Sequence, residues 1–110
     1  MIGMTMGDFI DKVYCGDELE FIIGETTYFV QGYQEDNKFV LTVDYWNKAD
    51  GTESNHDYLL SIKCDTLEER LSRFEEATIF NGKTIYEVEK DITVLYGWIW
   101  LEKMIWLMKM

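Results

Sequence analysis

Three side chains in this sequence are of types that commonly bind zinc, those of Cys15, His56 and Cys64. His56 begins a predicted strand that ends beside Cys64, and at about 3.3 Å per residue the two lie roughly 25 Å apart, too far to share one ion. Cys15 and Cys64 fall at the same end of the predicted sheet, so one interpretation is a zinc site made by both thiols and a carboxylate. The candidate carboxylates are Asp17, Asp36 and Asp65. The other interpretation is two small thiols packed in the core.

The residue types give little support for catalysis. His56 is the only histidine, and no serine or cysteine is evident as its nucleophilic partner. Carboxylates are numerous, but without a cationic or buried counterpart they usually form a solvated surface. We therefore expect a protein that is not an enzyme and needs no cofactor, with zinc as the one exception.

Charge is the strongest feature of the composition. The chain has 110 residues and a net charge of −11. Residues 1–60 contain twelve acidic and three basic side chains, a balance of −9, whereas residues 61–110 contain nine and seven, a balance of −2. Because acidic side chains repel phosphate, the sequence argues against direct binding of DNA or RNA.

The length and the cysteine content indicate a single domain, residues 1–110, in a reducing compartment. Two cysteines are too few for a disulfide scaffold, and no basic segment followed by an apolar segment resembles a signal peptide. We therefore expect a cytoplasmic protein, present as a monomer or homodimer, with no membrane partner.

Three short helices are predicted from pairs of residues that resemble capping boxes, each followed by an apolar stripe of helical period. The pairs are Thr5 and Asp8, Thr66 and Glu69, and Thr84 and Glu87. The helices end at Gly16, near Ala77 and at Gly97. A turn at Asn81-Gly82 separates the second helix from the third.

Four segments alternate apolar and polar residues with a period of two, which is typical of half-buried strands. These segments are residues 18–23, 27–34, 38–46 and 56–63. Short polar turns between the first three predict hairpins, and the fourth closes a meander. The predicted fold is therefore α+β, with a four-stranded antiparallel meander sheet and three short helices packed mainly on one face.

The second face of this sheet is the candidate binding surface, because aromatic side chains alternate there with carboxylates. Such a surface suits a basic protein better than a nucleic acid, since the carboxylates oppose phosphate. The candidate partner-binding residues are Glu18, Glu20, Tyr33, Asp44, Trp46 and Asp57. The alternative is that the C-terminal segment covers this face and its aromatic residues form a second layer of the core.

The C-terminal segment, residues 97–110, is apolar over most of its length. Its polar interruptions from Trp98 onward are Glu102, Lys103 and Lys109. It is too short to cross a bilayer as a helix, which needs about 20 residues. Two interpretations stay open: the segment packs into the domain core, or it forms an interface with another subunit or partner.

The stretches GDELEFIIGETTYFVQGY and IFNGKTIYEVEKDI resemble small acidic proteins carried on mobile elements of Gram-positive bacteria. The likeness covers roughly residues 5–96. Small acidic proteins of this origin in turn resemble the anti-CRISPR inhibitors of type II effectors, in which carboxylates occupy basic nucleic-acid channels. The likeness contains no functional motif, so it assigns no residue a role, and the segment from Trp98 departs from it.

Composition and resemblance together favour a non-enzymatic acidic inhibitor that mimics DNA. It would bind a basic nucleic-acid-binding surface of a host protein, with a type II CRISPR effector nuclease as the expected host protein, and block DNA or guide engagement. One alternative is a soluble interaction domain that assembles through its aromatic C-terminal segment. The other is a small zinc-binding protein.

We expect the pure, metal-free protein to bind neither DNA nor RNA at physiological salt, because its dense charge has the same sign as phosphate. An electrophoretic mobility assay with labelled single- and double-stranded probes checks this. Retarded migration of any probe at 150 mM salt, where the Debye length is about 8 Å, would contradict it.

Overall fold

The computed structural model describes residues 1–47, 52–53 and 58–96. Its two helices are α1 (Met6–Cys15) and α2 (Leu67–Glu76). Its strands are β1 (Leu19–Ile23), β2 (Thr26–Glu35), β3 (Lys38–Asn47), β4 (Thr52–Glu53), β5 (Leu60–Cys64) and β6 (Ile92–Tyr96). The predictions that concern His56, Asp57 and residues 97–110 fall outside these described residues.

Both described helices begin at the predicted caps. The Thr5 hydroxyl accepts a hydrogen bond from the Asp8 backbone N–H at 3.1 Å, and Thr66 accepts one from Glu69 at the same distance. Gly16 ends α1 with a φ of 80°, a conformation that favours glycine. These two helix predictions are confirmed, and neither helix is long or apolar enough to cross a lipid bilayer.

The sheet is antiparallel and more extensive than predicted. Strands β3, β2, β1 and β6 lie side by side in that order. The short strands β4 and β5 both pair with the edge of β3 that faces away from β2. The α+β class and the β1-β2-β3 meander are confirmed, but the prediction of four strands is wrong.

The prediction of a third helix is also wrong, because the chain forms a strand there. Thr84 and Glu87 do form the reciprocal hydrogen bonds of a capping box, at 3.0 and 3.3 Å. A short 3₁₀ turn at Glu89–Asp91 follows, and the chain then enters β6, which pairs with β1. β-Branched residues favour a strand, and β1 offers the unpaired edge that this strand needs.

Helix α1 and the aromatic core identify the covered side of the sheet. The ring of Phe9 in α1 lies 5.1 Å from that of Phe21 in β1, measured between centroids. Phe80 lies 5.0 Å from Tyr28 and 6.2 Å from Phe74 of α2. Backbone hydrogen bonds between Phe80 and Lys83 hold the predicted turn at Asn81-Gly82, which is confirmed. The helices therefore pack on the sheet face that contains Phe21 and Tyr28, as predicted.

Arg70 of α2 is a buried cation that lies where α1, α2, β2 and β3 meet. Its side chain is 2% exposed. Nη1 donates to the Val40 carbonyl at 3.1 Å and Nη2 donates to the Tyr14 carbonyl at 2.9 Å. Burial lowers the pKa of the Arg70 guanidinium. The partial negative charge at the C-terminal end of α1, where Tyr14 lies, offsets part of the cost of burying this cation.

Two glycines make room for this guanidinium. A Cβ atom on Gly32 would lie 2.8 Å from both Arg70 Nη1 and Gly16 Cα. The Gly32 N–H also donates to the Gly16 carbonyl at 3.1 Å, so the end of α1 lies directly against β2. Glycine is required at position 32 by this close approach and not by a left-handed backbone.

We expect Gly32→Ala to lower the free energy of unfolding by about 1–3 kcal/mol, because the new methyl group overpacks the Arg70 site. Gly7→Ala is the matched control, since a Cβ there meets only Thr5 Oγ1 at 3.9 Å. That control should raise the free energy by up to about 1 kcal/mol, as expected within a helix. Denaturant titration measures both, and equal stability of the two variants would contradict the close-approach argument.

Candidate functional site

The candidate site is the outer face of the sheet, defined here as the face opposite α1 and α2. Pairing between strands places Glu20 of β1, Phe29 of β2 and Asp44 of β3 opposite one another. Residues directly opposite in a sheet project from the same side, so Phe29 projects from the middle strand with an acidic residue on the strand to each side. These three residues are called the acid–aromatic row below, and all three are half-buried.

The residues along β2 on either side of Phe29 are uncharged. Gln31 is half-buried and pairs with Thr42, which in turn pairs with Ser61 of β5. Thr27 is 1% exposed, and its hydroxyl has no hydrogen-bond partner among the described residues. The acid–aromatic row is therefore bounded along β2 by neutral side chains.

Ion pairs separate the acidic residues of the described chain into two groups. Lys12 pairs with Asp17 at 3.4 Å, Lys38 pairs with Asp65, and Lys63 lies 3.7 Å from Glu35 and 4.0 Å from Asp36. Within the described residues, Glu18 and Glu20 have no such lysine. The charge at the β1 side of the outer face is therefore not neutralised by the described part of the chain.

The Asp44 side chain also forms a hydrogen bond with the backbone of β3. Its Oδ1 accepts a hydrogen bond from the Tyr45 N–H at 2.8 Å. This bond fixes the carboxylate close to the strand while leaving it on the same side as Phe29, as the pairing requires. A substitution at Asp44 therefore changes both charge and local backbone support.

The structure brings together only some of the predicted partner-binding residues. Glu20 and Asp44 share one row, and Glu18 immediately precedes β1. Tyr33 is 42% exposed but lies four residues from Phe29 along β2, about 13 Å away. Trp46 lies in β3 with its backbone opposite Thr27. Asp57 lies outside the described residues.

Phe29 lies in the predicted strand 27–34 but is not among the predicted partner-binding residues. Its position between Glu20 and Asp44 depends on how β1 and β3 are aligned with β2, which composition does not reveal. A strict count of alternating residues from the Gly24-Glu25 turn does pair Glu20 with Phe29, so the hairpin contained part of the signal.

The two cysteines occupy different environments near Arg70. Cys15 is exposed and Cys64 is buried. The Cys64 Sγ accepts a contact from Arg73 Nη1 at 3.8 Å. No group of three residues suited to hold a metal occurs within the described ranges, and the three candidate aspartates, listed with their lysines above, form ion pairs. The zinc site stays a prediction.

The acidic residues of α2 contrast with those of the outer face, because several of them accept hydrogen bonds from hydroxyl groups. Tyr14 donates to Glu68 at 3.0 Å, and Tyr86 donates to Glu75. The bond to Glu68 raises the pKa of Tyr14. The bond to Glu75 raises the pKa of Tyr86 to about 12.

The Tyr86 phenol should stabilise the fold most below pH 10, because the folded state holds its proton more tightly than the unfolded state does. The advantage of the wild type over Tyr86→Phe should fall as the pH rises from 10 toward 12. Denaturant titrations at pH 9, 10 and 11 measure this difference. Glu75→Gln is the control, and in it the ionisation of Tyr86 at 295 nm should move toward pH 10. An unchanged ionisation would contradict the assignment.

Comparisons with protein-family models, curated proteins and solved structures find no match to this chain. The resemblance to small acidic mobile-element proteins therefore stays a prediction that none of these comparisons tests. Any function has to be inferred from the residues and the geometry of the outer face itself.

Proposed function

We propose that this protein is a non-enzymatic inhibitor whose outer sheet face binds a basic, nucleic-acid-binding surface of another protein. The observation that carries the proposal is the acid–aromatic row, in which Glu20 and Asp44 lie on either side of Phe29. Carboxylates give the surface its charge, and the ring provides apolar area that a contact can bury. Together they match a basic surface that also offers aliphatic or planar side chains.

Electrostatics favours this face over the acidic positions that already form ion pairs. Asp17, Asp65 and the acidic residues at the β2–β3 turn already lie within 4.0 Å of lysines. A new cationic partner gains less from carboxylates that are already paired, because their field is partly cancelled. Glu18 and Glu20 have no such lysine within the described residues, so no described ion pair cancels their attraction for a basic partner.

RNA-guided nucleases are the partner class to test first. They hold their guide–target heteroduplex and the displaced strand in channels lined by basic residues, so an acidic surface competes for the same field. The resemblance to type II anti-CRISPR inhibitors favours a type II CRISPR effector within that class. In this proposal the outer face occupies positions that DNA or guide phosphates take in the active complex.

Charge reversal tests the location of the binding surface. We expect Glu18→Lys with Glu20→Lys to weaken binding to a type II effector at least tenfold at 50 mM salt, mainly through slower association. The loss should shrink as salt rises, because screening shortens the range of these charges. Adding Asp44→Lys should weaken binding further. Surface plasmon resonance with the purified effector measures both rates.

The matched control is Glu75→Lys with Glu76→Lys on α2, which changes the net charge by the same amount. If the control abolishes binding and the sheet variants do not, the location on the outer face is wrong. If neither pair changes binding at low salt, the electrostatic mechanism is wrong. Circular dichroism of every variant separates these outcomes from unfolding.

A further inference from the structure

We propose that the acid–aromatic row selects arginine over lysine, by stacking a guanidinium on Phe29 between the carboxylates of Glu20 and Asp44. This inference rests on the proposed function, because it specifies the side chain through which a basic partner binds the outer face. It adds a chemical preference that net charge alone does not provide. Charge attracts both cations equally, whereas a ring between two acceptors does not.

The spacing of the row suits a planar cation. Adjacent strands lie about 4.8 Å apart, so the backbones that carry Glu20 and Asp44 are roughly 10 Å apart with Phe29 midway. A guanidinium stacked on the ring has N–H groups that lie in its plane and point outward from more than one edge. It can therefore donate to a carboxylate on each side at once. A lysine ammonium is a compact, strongly hydrated charge that offers no planar face to the ring.

No cation among the described residues lies over the Phe29 ring. Among the described residues, the one cation that lies over an aromatic ring is Arg70, 5.9 Å from the centroid of Phe39 beneath α2. Lys63, on β5, is opposite Val40 and pairs with Glu35 and Asp36 at the β2–β3 turn. The two neighbours of Phe29 along its own face of β2 are uncharged, as described above.

Arginine is also the side chain that the proposed partner class supplies. Proteins that bind nucleic acid use arginine to hold phosphates through planar, two-pronged contacts. An inhibitor that stacks such an arginine removes it from phosphate binding. Selectivity for arginine would therefore direct the outer face to phosphate-binding sites and away from lysine-rich surfaces.

Two labelled peptides of equal charge, hexa-arginine and hexa-lysine, test the preference by fluorescence anisotropy at 50 mM salt. We expect the wild type to bind hexa-arginine about two- to fivefold more tightly than hexa-lysine, as a single exposed cation–π contact predicts. Phe29→Leu should remove that preference while leaving hexa-lysine binding within about twofold. Phe29→Tyr, which keeps an aromatic ring, should preserve it.

The matched control is Tyr33→Leu, which removes an exposed aromatic residue from the same strand and the same face. It should leave the ratio of the two affinities unchanged. Equal affinities in the wild type, or loss of the preference in Tyr33→Leu and not in Phe29→Leu, would overturn the inference while leaving the proposed function standing. Failure of the wild type to bind either peptide would contradict the proposed function as well.

Measurements of stability and molecular mass distinguish a binding role of Phe29 from a packing role. Denaturant titration and sedimentation of the wild type and Phe29→Leu are compared under the same conditions. A large loss of stability, or a change from dimer to monomer, with no change in the peptide ratio would show that Phe29 packs against the chain itself or a second copy. That outcome also overturns the inference.

Discussion

The arrangement of this fold depends on one buried cation. Burying a guanidinium is costly unless its N–H groups are hydrogen-bonded, and Arg70 offsets part of this cost by donating from Nη1 and Nη2 to the carbonyl groups of Val40 and Tyr14. Those acceptors belong to α1 and β3, while Arg70 itself belongs to α2. The absence of side chains at Gly16 and Gly32 lets β2 approach the same point. Two helices and two strands are therefore held at one end of the sheet.

Because both helices cover one face of the sheet, the proposed binding surface lies on the opposite face. The tight turn at Asp36 and Asn37, with φ values of 53° and 65°, sets the register of β2 against β3. In that register Phe29 is opposite Asp44. A slip of one residue would exchange the faces, and an acidic residue would no longer lie beside the ring. The chemistry of the outer face is thus a consequence of turn geometry and helix placement together.

The geometry of the fold determines which carboxylates contribute to the proposed binding surface. Composition gives a strongly acidic protein, yet several carboxylates are neutralised by nearby lysines and others accept hydrogen bonds from tyrosines. Within the described residues, Glu18 and Glu20 at the β1 side of the outer face are among the carboxylates that no lysine neutralises. The negative charge attracts any cation, and an aromatic ring between the carboxylates adds a contact surface of defined shape.

The sequence by itself determined the features whose causes are local. Threonine caps begin α1 and α2, Gly16 ends α1 and Asn81-Gly82 turns, because each depends on hydrogen bonds or backbone angles within a few residues. The alternation of residues likewise determined which side of β1, β2 and β3 is apolar. Only the tertiary structure decided that residues 92–96 form a strand, since the unpaired edge of β1 outweighs their helical spacing. It also decided the role of Arg70, which shares the apolar stripe of α2 but donates its hydrogen bonds to carbonyls 30 and 56 residues away. Partners so distant in the chain leave no local pattern, because folding alone brings them together.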